Sequence, residues 1–247
     1  MISPLFSNTN KKFNVIILAA GKGTRLKPAT DYIAKPLIEI SGERAIDYFI
    51  KKYQYVAHKI IIAVGYEADL LENYVRGKYS SLNIEFSKED VKDLHGPGQS
   101  LVYALDHADS KYPTIITFCD YIVNDVFSVD DNAVCVSDSV RKSVLGKYRT
   151  YIDAEEGIAI DICDNKNNTI KNGFTGIFIC HNTVHLKYIT YYFATRGLTK
   201  EENTYEAIIR EYIINTKTSV IALKEIYDFG DPKTLEKTRS IFNGHTE

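Results

Sequence analysis

No stretch of the chain approaches the roughly 20 consecutive apolar residues that a bilayer-spanning helix needs, which excludes such a helix from the reading. The first dozen residues, 1–12, are polar and lack the apolar centre of a signal peptide, so they read as a loose N-terminal arm. Cysteine is scarce. Cys119, Cys135, Cys163 and Cys180 lie far apart and form no C-x-x-C pair. That spacing excludes a metal knuckle and a disulfide framework, and it reads as buried thiols in a reducing, cytoplasmic compartment. Neither sign of charge is in excess: 30 Lys and Arg face 32 Asp and Glu, for a net charge of -2. No global basic field therefore points to nucleic acid. Tryptophan is absent while tyrosine is abundant at 18; neither fact carries a functional reading. What remains is 247 residues, 45% hydrophobic and 25% charged. That fits one large α/β domain with a substantial core.

The organising stretch runs from residue 13 to 38. Val15 to Ala20 is apolar with no polar alternation, as in a central parallel strand buried on both faces. Such a strand delivers its C-terminal end to the ligand crevice of an open sheet. Gly21 and Gly23 follow at once, with Arg25 and Lys35 close behind. Glycines let backbone N–H groups approach an anion, and the basic residues add fixed positive charge. The loop is thus expected to hold polyphosphate. No window fits the Walker pattern G-x-x-x-x-G-K-[ST]. The dinucleotide fingerprint needs a third glycine where Leu26 stands, and Pro28 argues against one unbroken helix.

The string Leu18-Ala19-Ala20-Gly21-Lys22-Gly23-Thr24-Arg25-Leu26-Lys27-Pro28, followed by Lys35-Pro36, resembles the signature of the nucleotidyltransferases that make nucleoside-diphosphate sugars, and it fills every fixed position. The resemblance implies a single Rossmann-like three-layer α/β domain with a mostly parallel, mixed central sheet, the GT-A-like nucleotidyltransferase fold. Its span is 13–247, with a nucleotide-binding part at about 13–136 and an acceptor-binding part at about 137–247. It also implies that Leu18, Ala19, Ala20, Gly21, Gly23, Thr24 and Arg25 contact the nucleotide.

Downstream, Ile46, Phe49, Ile50 and Tyr53 recur at helical spacing over 44–55. Lys59–Val64 reads as a second buried strand. Ala68, Leu71, Tyr74 and Val75 make a second helix, with Gly77 where a C-terminal cap belongs. Residues 83–86 form a short third strand. This alternation means right-handed crossovers and parallel pairing. The turn Gly96-Pro97-Gly98-Gln99 opens the next helix. In the resembled family such a turn meets the base, so Gly96 and Gln99 join the nucleotide set; capping of the helix by Gln99 is the other reading. His95 reads as a loop residue.

Thr114–Cys119 is a buried strand ending at Asp120, where the family has G-D. The family's D-x-G-T-P is matched at Asp228, Gly230 and Pro232, with Asp231 in place of threonine and a helix expected over 233–242. Asp120 and Asp228 are the implied ligands of Mg2+, a hard cation that takes oxygen ligands. Asp125 does not complete a D-x-D. A hairpin is expected around 154–157, and Thr175-Gly176 lies in a strand resembling the family's acceptor-lining N-A-G-I-Y-V. Here the likeness frays, since Arg149 stands where many members have glycine and Lys166 lies in a polar run in place of E-K-P. Arg149, Lys166, Thr175 and Gly176 are the candidate acceptor contacts, and the run around Lys166 is polar enough to be a simple turn instead. His181 and His185, four apart, could share a helix face, but no further ligand suggests a metal. Tyr205, Ile208, Ile209, Tyr212 and Ile213 read as a core helix, and 218–223 as a strand.

The implied chemistry is Mg2+-dependent nucleotidyl transfer from an NTP to a phosphorylated acceptor, a sugar 1-phosphate first, with pyrophosphate released and the product feeding surface polysaccharide synthesis. Arg25, Lys35, Asp120 and Asp228 are the implied catalytic residues. Two alternatives stand beside it: cytidylyl transfer to a non-sugar phosphate such as phosphocholine, and a non-catalytic nucleotide-binding relative. The partners are small molecules, with no nucleic acid and no membrane; base, acceptor and oligomeric state stay open.

Overall fold

The computed structural model describes residues 11–88, 96–127, 130–138, 150–164, 172–196 and 204–244. Strand β1 (Phe13–Leu18) alternates strictly between two cores. Phe13, Val15 and Ile17 pack on one face of the sheet, and Ile16 and Leu18 on the other. The continuous apolar run is therefore what a strand covered on both sides requires. Two short ribbons, β2 (Glu39–Ile40) and β3 (Glu43–Arg44), lead into α1 (Ala45–Tyr53). Then come β4 (Ala57–Val64), α2 (Ala68–Lys78), β5 (Ile84–Lys88), α3 (Pro97–Asp106) and β6 (Thr114–Phe118). These strands pair in parallel in the order β5-β4-β1-β6. Helices α1 and α2 cover the first face, and α3 covers the second.

Among the described residues, the second half completes a nine-stranded mixed sheet. After β7 (Tyr121–Val123), which stands outside that sheet, come β8 (Ala133–Val136), β9 (Thr150–Glu155), β10 (Ile158–Asp164) and β11 (Phe174–Cys180). They are followed by α4 (Thr183–Thr195), α5 (Thr204–Asn215), β12 (Ser219–Ala222), β13 (Ile226–Asp228) and α6 (Pro232–Asn243). From β6 the sheet order continues β11-β8-β12-β10-β9. Strand β11 lies antiparallel between β6 and β8, while β12 runs parallel to β8. The hairpin expected around 154–157 is present as β9 and β10.

Two local readings are corrected. Gly77 is not a helix cap: α2 runs on through it, and the helix ends at Tyr79, whose N–H donates to the Val75 carbonyl at 2.8 Å. His181 precedes α4, so it shares no helix face with His185. Its ring packs edge-on against Phe13 at 6.0 Å, while the His185 ring tilts over Tyr212. Among the described residues, no cluster of three or more His, Cys, Asp and Glu could hold a metal, and no helix is long and apolar enough to cross a membrane.

Candidate active site

The C-terminal ends of β1, β4 and β6 meet at one edge of the sheet. The Leu18 carbonyl accepts from Cys119 N at 3.2 Å, and Ala19 N donates to the Ala63 carbonyl at 3.0 Å. Ala20 then passes so close to β4 that a Cβ on Gly65 would lie 2.9 Å from its carbonyl oxygen. The loop is thereby clamped on both sides before it turns. Gly23 makes the turn in the left-handed region, with φ 63°, and a Cβ there would sit 3.0 Å from Lys35 Cβ. Its carbonyl is held by Thr30 Oγ1 at 2.9 Å and by Leu26 N at 2.8 Å. Gly21 has open space around it instead.

Lys35 opens a single 3-10 turn, Lys35–Leu37, in which Pro36 fixes the backbone. Its side chain is buried, its ammonium pairs with Asp120 Oδ1, and its Nζ lies 5.1 Å from the centre of the Phe229 ring. Arg25, mostly exposed, brings Nη2 to 4.0 Å from Asp120 Oδ2. Burial raises the Asp120 carboxyl pKa, but the Lys35 charge and hydrogen bond and the Arg25 charge outweigh it and hold the carboxyl below the ordinary aspartate range. Burial pushes the adjacent Cys119 thiol up to about 12, so it stays neutral.

Asp228 reaches the same place from the far end of the chain. Strand β13 pairs antiparallel with β7, which sets Asp228 opposite Tyr121, and Phe229 N donates to the Asp120 carbonyl at 3.3 Å. Gly230 N donates to Asp228 Oδ1 at 2.7 Å. A Cβ on Gly230 would lie 3.1 Å from Asp228 Oδ1 and 3.2 Å from Arg25 Nη2, so carboxylate and guanidinium flank one point. Asp231, the departure from threonine, caps α6: its Oδ1 accepts from Thr234 N at 2.9 Å.

Lys35 and Asp120 border a cavity of about 500 Å³ lined also by Leu18, Ala19, Ala20, Gly21, Lys22, Pro36, Gly96, Pro97, Ser100, Phe118 and Cys119. Gly23, Thr24, Arg25, Gln99 and Asp228 are not part of that lining, and Ser100 is. Ser100 and Phe118 were missed because their lining role depends on how α3 and β6 pack; helix spacing alone could have ranked Ser100 beside Gln99. Thr175 and Gly176 sit in the sheet. Thr175 Oγ1 donates to the Cys135 carbonyl at 2.8 Å, and the Phe118 ring fills the space where a Gly176 Cβ would stand, 2.2 Å from Cδ2. Asp125 is a loop anchor that accepts from the Lys224 and Glu225 N–H groups. Arg149, Lys166 and His95 lie outside the described residues.

A model of the MobA-like NTP transferase domain matches residues 15–127, the stretch that builds the cavity. The chain resembles the sugar-1-phosphate nucleotidyltransferases. The bifunctional protein GlmU of Methanococcus aeolicus is 26% identical over 159 residues, 64% of this chain and 35% of that protein. The chain spans about a third to a half of the length of the first curated relatives it matches. Among solved structures, the CTP:phosphocholine cytidylyltransferase LicC of Streptococcus pneumoniae superposes with a TM-score of 0.73 at 18% identity, covering 94% of this chain and 99% of that one. A UDP-glucose pyrophosphorylase complexed with UDP-glucose gives 0.75 at 15% identity, with 95% and 99% covered. At these identities the likeness is one of fold.

Two carboxylates on adjoining strand ends are a sparse donor set. It suits Mg2+, which dehydrates reluctantly, keeps waters and takes further ligands from phosphate, better than a cation needing an all-protein cage.

Proposed function

We propose that the chain transfers a nucleotidyl group from an NTP to the phosphate of a small acceptor, with a sugar 1-phosphate as the first candidate, and so makes a nucleoside-diphosphate sugar for surface polysaccharide synthesis. The observation that carries this reading is the meeting of Lys35, Arg25, Asp120 and the Asp228 segment beside a nucleotide-sized cavity. In the reaction an acceptor phosphate oxygen bonds to the α-phosphorus, the bond to the bridging oxygen breaks, and pyrophosphate leaves with the electron pair. The acceptor is already anionic, so no strong general base is needed; repulsion between two anions is the obstacle. Lys35 offers a compact point charge between donor and acceptor phosphates. Arg25 stabilises charge growing on the leaving pyrophosphate. Asp120 and Asp228 would hold Mg2+, which supplies neutralisation of the phosphates when bound. Positioning and electrostatics supply the rate, as in phosphoryl transfer generally.

A second reading is cytidylyl transfer to a non-sugar phosphate. It is favoured by Arg149 in place of the glycine beside which a sugar ring usually lies. Both readings are tested by following pyrophosphate release with Mg2+, each NTP, and a panel of sugar and non-sugar phosphates. Release that requires one NTP and one sugar 1-phosphate is expected. Release with phosphocholine alone selects the second reading, and silence across the panel overturns both.

A further inference from the structure

A lysine ammonium on a flexible four-carbon stem is a poor fixed charge unless something holds it. Lys35 is held at three places. Its Cβ packs where Gly23 lacks a side chain, its Nζ pairs with Asp120, and its Nζ stands over the face of Phe229, a fully buried ring. The Asp120 contact is the one that the proposed reaction would weaken, because that carboxylate would also hold the metal ion. The ring contact does not depend on it. Phe49 packs against the same ring at 6.4 Å and 62°. Position 229 is the unspecified one in the D-x-G-T-P pattern, so the resemblance assigns it nothing.

We propose that Phe229 is a positioning residue for nucleotidyl transfer: its π face keeps the Lys35 ammonium aimed at the cavity when Asp120 is engaged by ligand. The inference rests on the transfer reading above. Because Phe229 N also donates to the Asp120 carbonyl, one residue ties the Asp228 segment to both charges of the first half.

The test replaces Phe229 with mono-, di- and trifluorophenylalanine, which keep the shape of the ring while draining its negative face. The kcat is expected to fall stepwise with each fluorine, to about tenfold at three, with KM for the NTP and the melting temperature unchanged. A flat kcat across the series overturns the proposal. A second arm needs no turnover: the NMR shifts of the Lys35 Cε and Hε in the protein alone, which the ring current displaces. Phe229→Leu is expected to move them, and unmoved signals in a folded variant overturn the placement. If the native protein releases no pyrophosphate with any pair, the transfer reading fails, and the NMR arm still decides whether the ring holds the ammonium.

Discussion

Asp120 is the residue on which the site's charges converge. Lys35 and Arg25 both face its carboxylate, and their charges keep it ionised against burial. Asp120→Asn keeps the shape and removes the charge. Turnover is expected to fall at least about 100-fold with the circular dichroism spectrum unchanged; near-native pyrophosphate release in that variant would remove Asp120 from the mechanism. Gly176 makes a different demand. Its φ is 78°, and a Cβ would stand 2.2 Å from the Phe118 ring, itself packed on Tyr205 at 4.6 Å. Gly176→Ala therefore combines left-handed strain with overpacking, and a loss of about 3 kcal/mol in urea unfolding is expected. A loss below about 1 kcal/mol would mean that Phe118 has room to retreat.

Among the elements, β1, β4 and β6 were legible in the sequence because each is a continuous apolar run, and such a run has one comfortable place, between two helical layers. The Gly23 turn and the positions of both aspartates at strand ends were legible too. The neighbours of β11 were not. Its partners β6 and β8 are chosen by packing across tens of residues, and no local period records that choice. Nor was the seam between α1 and α2. The carboxylate of Asp47 on α1 is fully buried, and it accepts from Tyr74 OH at 2.7 Å, Tyr79 OH at 2.8 Å, Lys78 Nζ at 2.8 Å and Arg44 N at 2.9 Å. Burial raises its pKa, but the hydrogen bonds from Lys78, Tyr74, Tyr79 and the Arg44 backbone hold it below 3.8. A depressed carboxyl stabilises the fold above its unfolded value, and that contribution is lost as pH falls through the folded one. Asp47→Asn is expected to cost about 3 kcal/mol at pH 7, with the gap to the native protein closing below pH 3.8. Urea melts across that range check it, and a gap independent of pH would show that the charge is not what binds the helices.

For the molecule as a whole, the parts expected at about 13–136 and 137–247 share one sheet rather than abutting. Strand β6 ends the parallel set and takes β11 as its outer partner, and β7 takes β13. A fragment ending at residue 136 leaves β6 with an unpaired edge and strips the α4 and α5 cover from the second face. It is expected to show no dispersed NMR spectrum; a cooperatively melting fragment would make the first part an independent unit.

The pairing of β13 with β7 has a consequence for the chain as it leaves the ribosome. The glycine turn is synthesised well before the Asp228 carboxylate and the Phe229 ring, which lie on and just after β13. A nascent chain can thus display the glycine turn long before it can assemble the charges around it. By this order of synthesis, the charges of the proposed site come together only when the β13 segment has emerged and docked on β7.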